Sequence, residues 1–150
     1  MIDGKKYAEF AKRHSVSEAR AMELLKSNDF ICNLVEEIHE GGKVYIVTKY
    51  VKGGDLLHYM QRVLEVSMLP QDDARNLFRQ VAEGVKAIHD CGLVHRDLKY
   101  LNILISPGRE DSERQPKVKI TDFGLAMKLE PGQTFNKMAG TVGFVAPEVL

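Results

Sequence analysis

The alternation of apolar and polar positions predicts a helix followed by a two-stranded ribbon in the first third of the chain. Ser15 to Glu18 reads S-x-x-E, a capping box typical of a helix N-terminus, and the apolar positions behind it recur at helical spacing. The runs 34–38 and 43–50 are rich in β-branched and aromatic residues, which favours strands. A Gly-Gly pair between them supplies the positive φ angles of a tight turn, so we predict a hairpin.

The middle of the chain predicts a linker and then two helices. A second Gly-Gly pair, at 53 and 54, interrupts the apolar pattern, and Asp55 is suited to cap a short helix that extends to Val63. From Pro70 the apolar residues follow the helical period, and Gly92 is placed to end this long helix in the left-handed conformation. We expect its apolar stripe to be buried: Ala74, Leu77, Phe78, Val81, Val85 and Ile88.

Two short apolar runs, 103–105 and 118–120, predict strands in the last third of the chain. The polar stretch 106–117 between them predicts a surface connector. Each strand lies beside a cluster of polar residues that is unusual for a strand end. We therefore expect the chemistry of the protein to lie at these two clusters.

Composition narrows the possible partners. Lys and Arg together number 21, as do Asp and Glu, so no basic field suggests a nucleic-acid partner. No apolar run approaches the roughly 18 residues of a membrane-spanning helix, so we expect no membrane partner. Cys32 and Cys91 lack metal-like spacing and are expected as small core residues of an intracellular protein, in the cytoplasm or nucleus.

Three motifs follow one another in the second half of the chain. Residues 95–102 read HRDLKYLN, residues 122–124 read DFG, and residues 146–148 read APE. Taken singly, Asp97 would be a turn or cap carboxylate, His95 a core histidine, and Asn102 and Asp122 strand-end polar residues. Together, in this order and next to predicted strands, they form a specific pattern. By this pattern the chain resembles the protein kinase family, of the serine/threonine type.

The resemblance implies an α+β fold with two lobes, partly represented here. It implies a remnant of the N-terminal lobe in residues 1–48, a hinge in 49–54, and a C-terminal lobe with the catalytic loop and activation segment in 55–150. The segments ITDFGLA and GTVGFVAPEVL and the GGD linker look most like the calcium/calmodulin-dependent and checkpoint-type group.

The resemblance also implies Mg-ATP-dependent phosphorylation of a Ser or Thr hydroxyl on a protein substrate. Asp97 would orient the acceptor hydroxyl, and Lys99 would neutralise the γ-phosphate. Thr141, with Lys99, favours serine or threonine acceptors. Asn102 and Asp122 would offer Mg²⁺ the oxygen ligands that it prefers.

A further set of residues is implied on the nucleotide side. Thr48 would lie at the back of the adenine pocket, the backbones of Lys49 and Val51 would bond the purine, and Leu104 would close the pocket floor. Asp55 would bond the ribose, or read a basic residue upstream of the target site, or act only as a helix cap. Glu18 is the candidate partner of the lysine that anchors ATP.

Three residues are implied in regulation. Phe123 would pack under the first helix against Met22, Leu34 and His95, in a column that links the DFG position to activity. Arg96 would pair with a phosphate in the activation segment. Thr134 is the hydroxyl residue between the DFG motif and Gly140 that could carry that phosphate.

Two features of the chain depart from the family pattern. The ATP-anchoring lysine is expected one position before Met1, with the Gly-rich loop further upstream, and helices of the substrate groove are expected beyond Leu150. We therefore expect little transfer activity from this chain alone, and the alternative is a non-catalytic kinase-like binding module or pseudokinase fragment. Tyr100 and Leu101 stand where relatives usually have Pro and a polar residue.

Overall fold

The computed structural model of the protein describes residues 15–63, 68–106, 115–130, 132–134 and 138–149. The predicted connector and the region before the first helix lie largely outside these ranges. The described helices and strands are, in chain order, α1 (Glu18–Leu24), β1 (Leu34–Glu40), β2 (Lys43–Thr48), α2 (Leu56–His58), α3 (Gln71–Asp90), β3 (Leu93–Val94), β4 (Ile103–Ser106), β5 (Lys117–Ile120) and β6 (Met127–Lys128). A π-helical turn (Tyr59–Val63) extends α2, and 3₁₀ turns cover Tyr100–Asn102 and Pro147–Val149.

Helix α1 begins two residues later than the capping box predicts. Ser17, rather than Ser15, is the N-cap, and its side chain accepts a hydrogen bond from the backbone N–H of Arg20 at 3.2 Å. An N-cap hydroxyl reaches the N–H groups two or three positions ahead of it, so Ser17 satisfies a free donor of the first turn. The buried face of the helix is formed by Ala19, Ala21 and Met22.

Strands β1 and β2 form the predicted antiparallel hairpin. Gly41 and Gly42 adopt φ angles of 57° and 74°, as the turn requires. The register shifts between Leu34 and Glu36, so β1 has an irregularity at its start. Most side chains of both strands are exposed.

The linker after β2 is fixed by backbone hydrogen bonds to β4. The N–H of Gly53 donates to the carbonyl of Ile105 at 2.9 Å, and the N–H of Ile105 donates to the carbonyl of Gly54 at 2.8 Å. Asp55 then caps α2, because its Oδ1 accepts from the N–H of His58 at 2.9 Å. The predicted cap of the short helix is confirmed.

The long helix α3 confirms the helical period, but the predicted stripe is too wide. Leu77, Gln80, Gly84 and Ile88 are its buried residues, whereas Phe78 is 74% exposed. Gly92 has a φ of 67° directly after the C-cap, as predicted. Cys91 is exposed, so the prediction that both cysteines are core residues is wrong for Cys91, while Cys32 is buried.

One hydrophobic cluster joins the helices to the short strands. The segment before β1 is tied to β5, since Cys32 N–H donates to the carbonyl of Ile120 and Ile120 N–H donates to the carbonyl of Phe30, both at 2.8 Å. Strand β4 pairs with β5, and β3 pairs with β6, both antiparallel. The most buried large side chains are Phe123, Met22, Ile31, Ile88, Leu93, Ile105 and Ile120. Within the described ranges, no helix is both long and apolar enough to cross a bilayer.

Candidate active site

The segment after β3 is organised around His95. The buried imidazole has Nε2 3.0 Å from the carbonyl of Thr121, and its Nδ1 accepts from the N–H of Asp97 at 3.2 Å. A carbonyl can only accept and an N–H can only donate, so these contacts fix the neutral tautomer with its proton on Nε2. Burial lowers the pKa of His95, in agreement with that tautomer. Arg96 takes a φ of 68° and turns the chain between His95 and Asp97.

Asp97 is a carboxylate that accepts short hydrogen bonds from Lys99 and Thr141. Lys99 Nζ donates to Oδ2 at 2.7 Å, and Thr141 Oγ1 donates to Oδ1 at 2.6 Å. Lys99 also donates to Thr141 Oγ1 at 2.7 Å, so the three side chains form a closed triangle. The hydrogen bond from Lys99, followed by that from Thr141, lowers the pKa of Asp97. The carboxylate is therefore ionised and fixed in orientation.

Asn102 connects this triangle to β5. Its Nδ2 donates to the backbone carbonyl of Asp97 at 2.9 Å and to Asp97 Oδ2 at 3.3 Å. The backbone carbonyl of Asn102 accepts a hydrogen bond from the backbone N–H of Thr121 at 3.0 Å. Because the amide nitrogen is engaged by Asp97, the amide oxygen is turned away from that carboxylate.

Asp122 follows β5 in a left-handed conformation, with a φ of 65°. Its Oδ1 accepts from the N–H of Gly124 at 3.4 Å, a local turn contact that Asp favours. Glu18 lies on the same side of the molecule: burial raises its pKa, the negative charge of Asp122 raises it further, and a hydrogen bond from the Phe123 backbone lowers it. The charge of Asp122 therefore disfavours the ionised form of Glu18.

Asn102 and Asp122 match the donor set of a hard cation. One offers an amide oxygen and the other a carboxylate, and the Thr121 bond to Asn102 brings the ends of their segments together. In the part of the chain that the structure describes, no group of three or more His, Cys, Asp or Glu side chains could hold a metal. The side-chain oxygens of Asn102 and Asp122 fit Mg²⁺, which proteins often bind through one or two side chains.

Phe123 is fully buried next to His95. The ring centroids are 5.0 Å apart with an interplanar angle of 58°. Met22 from α1 belongs to the same buried cluster, and Leu34 packs against it. The structure thus shows the expected contact between Phe123 and His95, and it places Met22 in the same buried cluster as Phe123.

The residues expected around the nucleotide lie along the linker. Thr48 ends β2 and is exposed, and Val51 and Leu104 are partly buried against the core. The N–H of Lys49 donates to the carbonyl of Asn33 at 3.0 Å, and its carbonyl lies 3.7 Å from the thiol of Cys32.

Asp55, which is expected near the ribose, contacts two parts of the fold. The residue forms an isolated bridge with Leu104, and its side chain caps α2. The structure therefore brings Asp55 and Leu104 together. It also satisfies one carboxylate oxygen of Asp55 through the helix cap.

The two expected regulatory polar residues differ in their surroundings. Arg96 Nε donates to the carbonyl of Leu125 at 2.8 Å, which ties the catalytic loop to the segment after DFG. Thr134 is exposed.

Sequence spacing missed two contacts between the catalytic loop and residues 138–149. Tyr100 and Phe144 meet edge to face, with ring centroids 5.2 Å apart. Gly140 lies against the backbone of Arg96, so that a Cβ built there would be 2.7 Å from the Arg96 carbonyl oxygen. The single pointer in the sequence was that Tyr100 departs from the family pattern.

The chain is similar in sequence to known proteins. The protein kinase domain matches residues 1–150. The chain is similar to sperm motility kinase 3A of Mus musculus (40% identical over 131 residues, 86% of this chain and 24% of the relative). It is also similar to calcium/calmodulin-dependent protein kinase type 1 of Caenorhabditis briggsae (40% over 134 residues, 89% and 35%). A third similar protein is serine/threonine-protein kinase ATG1c of Arabidopsis thaliana (36% over 120 residues, 80% and 15%).

The chain therefore spans only 15% to 35% of the length of these three relatives. Its match to the protein kinase domain nevertheless runs over all of its residues, and the HRD, DFG and APE motifs lie within that match. The chain therefore belongs to the protein kinase family.

Proposed function

We propose that the protein transfers the γ-phosphate of ATP to a Ser or Thr hydroxyl of a protein substrate. The observation that carries the proposal is the fixed carboxylate of Asp97, held between Lys99, Thr141 and Asn102. Phosphoryl transfer depends on positioning and on charge neutralisation more than on a strong base. An ionised carboxylate beside a lysine ammonium supplies both.

The reaction balances with these groups in the following roles. The acceptor oxygen forms a bond to the γ-phosphorus while the bond from that phosphorus to the β,γ-bridging oxygen breaks, and ADP leaves with the bonding electron pair. Asp97 aligns the acceptor hydroxyl and accepts its proton, which then passes to solvent. Lys99 neutralises charge on the transferred group. Thr141 keeps the Asp97 carboxylate in the required rotamer.

Asn102 and Asp122 would hold the magnesium ion of Mg-ATP through their side-chain oxygens. When bound, the ion neutralises phosphate charge. The backbones of Lys49 and Val51 would bond the adenine, with Thr48 and Leu104 lining its pocket and Asp55 near the ribose. Glu18 would pair with a cationic group, which would offset the burial and the charge of Asp122 that disfavour its ionised form.

The proposal also covers the regulatory residues and the division of the chain into two lobes. Arg96 would pair with a phosphate on Thr134. The packing of Phe123 in its column would link the position of the DFG motif to activity. Residues 1–48 and 55–150 would belong to two lobes joined at 49–54. The substrate class agrees with the names of two relatives, a serine/threonine-protein kinase and a calcium/calmodulin-dependent protein kinase. We place the protein inside the cell, in the cytoplasm or nucleus.

Two measurements test the proposal on a purified full-length protein that contains this chain. The first is transfer of ³²P from Mg-ATP to a Ser/Thr peptide array, where Asp97→Asn should lower the rate at least about 100-fold if the carboxylate aligns the acceptor. The second is the thermal shift caused by Mg-ATP, which Asp122→Ala should abolish and the exposed control Asp72→Ala should retain. Transfer that survives Asp97→Asn contradicts the proposal. A Mg-ATP shift without any transfer supports instead a nucleotide-binding module that lacks catalysis.

A further inference from the structure

Two lysines lie on one face of the strand pair formed by β4 and β5. Lys119 is opposite Leu104 in this pair, and Lys117 is opposite Ser106. Side chains two positions apart in a strand point to the same face, so Lys117 and Lys119 lie side by side. Val118 between them points to the other face and is fully buried.

The segment before β1 brings a third lysine close to this pair. The N–H of Cys32 donates to the carbonyl of Ile120 at 2.8 Å, and the N–H of Lys49 donates to the carbonyl of Asn33 at 3.0 Å. The thiol of Cys32 also lies 3.7 Å from the carbonyl oxygen of Lys49. Residues 32–33 therefore bridge β5 and the linker, and they hold Lys49 near Lys119.

The positive charges of the three lysines act on one another. Burial lowers the pKa of Lys119, Asp29 and Cys32 oppose this effect, and the charges of Lys49 and Lys117 lower the pKa further. Lys49 and Lys117 are exposed, and Lys119 is partly buried. Within the described part of the chain, neither Lys49 nor Lys119 forms a salt bridge. An anion bound here would offset the mutual repulsion of the ammonium groups.

The arrangement of the lysines indicates the kind of anion. Lys117 and Lys119 are two positions apart in a strand, so their Cβ atoms are separated by about 7 Å. Acidic side chains at alternate positions of an extended peptide repeat at the same distance. A single carboxylate side chain can reach the partly buried Lys119, whereas the flat surface of a bilayer cannot. Binding to an anionic membrane also usually takes a cluster of about four to eight basic residues.

We propose that Lys49, Lys117 and Lys119 form a docking surface for an extended protein segment with carboxylates at alternate positions. The lysine ammonium groups pair with these carboxylates, and the ion pair of Lys119 is the least screened by water because this side chain is partly buried. The interaction is separate from the proposed phosphoryl transfer, which uses only the backbone of Lys49. It adds an acidic class of protein partner to the activity.

Peptide binding to a purified full-length protein that contains this chain tests the inference. The probe is a fluorescein-labelled peptide of Gly and Ser with Glu at three alternate positions, and its fluorescence anisotropy is measured at low salt. Lys119→Gln should weaken binding about fivefold because it removes one ion pair, and Lys117→Gln should act in the same direction. Lys119→Arg keeps the charge and should retain the affinity. A peptide with Gln in place of Glu should bind at least about tenfold more weakly.

Lys43→Gln is the matched control. Lys43 is an exposed lysine at the other end of β2, so this variant removes the same charge at a distance from the docking surface and should leave the affinity unchanged. Equal binding of the Glu and Gln peptides, or equal weakening by Lys43→Gln and Lys119→Gln, overturns the inference.

Two further measurements complete the test. Binding to phosphatidylserine vesicles that depends on Lys119, without binding of the Glu peptide, also overturns the inference. Asp97→Asn should bind the Glu peptide as the wild type does, so a failure of the proposed transfer reaction leaves this test intact. A thermal melt verifies that each variant is folded.

Discussion

The hydroxyl of Thr141 donates a hydrogen bond to Oδ1 of Asp97 at 2.6 Å, although 44 positions separate the two residues in the chain. Lys99 donates to both of them, at 2.7 Å in each case. A charge-assisted hydrogen bond is stronger than a neutral one, so residues 138–149 are anchored to the catalytic loop through the group that would do the chemistry. The position of this segment and the orientation of Asp97 are therefore coupled.

Replacing Thr141 tests this coupling. Thr141→Val keeps the shape and removes the hydroxyl, so Asp97 loses a donor that lowers its pKa. We expect kcat/KM for peptide phosphorylation to fall about tenfold or more and the acid limb of its pH profile to move to higher pH. Thr141→Ser keeps the donor and should retain most of the activity. A Val variant with the pH profile of the wild type would show that the bond is not part of the catalytic arrangement.

Much of the site could be predicted from the sequence because its residues occupy short local patterns. His95, Asp97 and Asn102 lie within eight consecutive positions, and Asp122 directly follows the next strand segment. Residue types at a strand end determine which side chains can meet there, and the pairing of β4 with β5 then brings Asn102 toward Asp122. Such an arrangement needs no knowledge of long-range packing.

Other features depend on contacts that spacing does not encode. Ser15 and Ser17 both suit an N-cap, and only the path of the chain decides which hydroxyl reaches Arg20. Phe78 adjoins the buried Leu77, yet it lies on the solvent side of α3, because the width of a buried stripe depends on what packs against it. The Tyr100 contact likewise arises from the meeting of two distant segments.

The second prediction concerns pH and His95. Burial places the folded-state pKa of His95 below its ordinary value, so between the two values the unfolded chain binds more protons. Stability is therefore complete above the ordinary pKa and decreases as the pH falls through the window between that value and the lower folded pKa. The free energy of urea unfolding should fall from pH 7.5 to about pH 5.5.

Two variants test whether His95 causes this dependence of stability on pH. His95→Asn cannot take up the proton, so its stability should change less over the same pH range. The control His89→Asn alters an exposed residue near the end of α3 and should show the pH dependence of the wild type. If His95→Asn were as sensitive to pH as His89→Asn, another group would cause the effect.

The third prediction concerns Gln80, which joins α3 to β5. Its Nε2 donates to the carbonyl of Pro116 and its Oε1 accepts from the N–H of Val118, both at 3.0 Å. Gln80→Leu leaves these backbone groups without their partner, so we expect a loss of about 2 kcal/mol in urea unfolding. Gln71→Leu, at an exposed position of the same helix, should cost well under about 1 kcal/mol. Equal effects of the two variants would mean that the side-chain bridge does not stabilise the fold.

The last prediction compares two glycines that flank the anchored threonine. Gly140 and Gly143 have φ angles of 119° and 91°, so alanine is strained at both positions. A Cβ at Gly143 would meet nothing within 4 Å, whereas a Cβ at Gly140 would lie 2.7 Å from the backbone oxygen of Arg96. Only Gly140→Ala therefore forces the segment away from the catalytic loop.

We expect Gly143→Ala to cost about 1 kcal/mol of stability through backbone strain alone. Gly140→Ala should cost at least about 1 kcal/mol more, because a backbone carbonyl cannot rotate away as a side chain can. Since Gly140 directly precedes Thr141, the displacement should also break the Thr141 bond to Asp97 and reduce peptide phosphorylation at least as far as Thr141→Val does. Urea unfolding and initial rates for both variants measure these effects. Equal losses of stability and rate in the two variants would show that the close approach of Gly140 to Arg96 does not hold the segment in place.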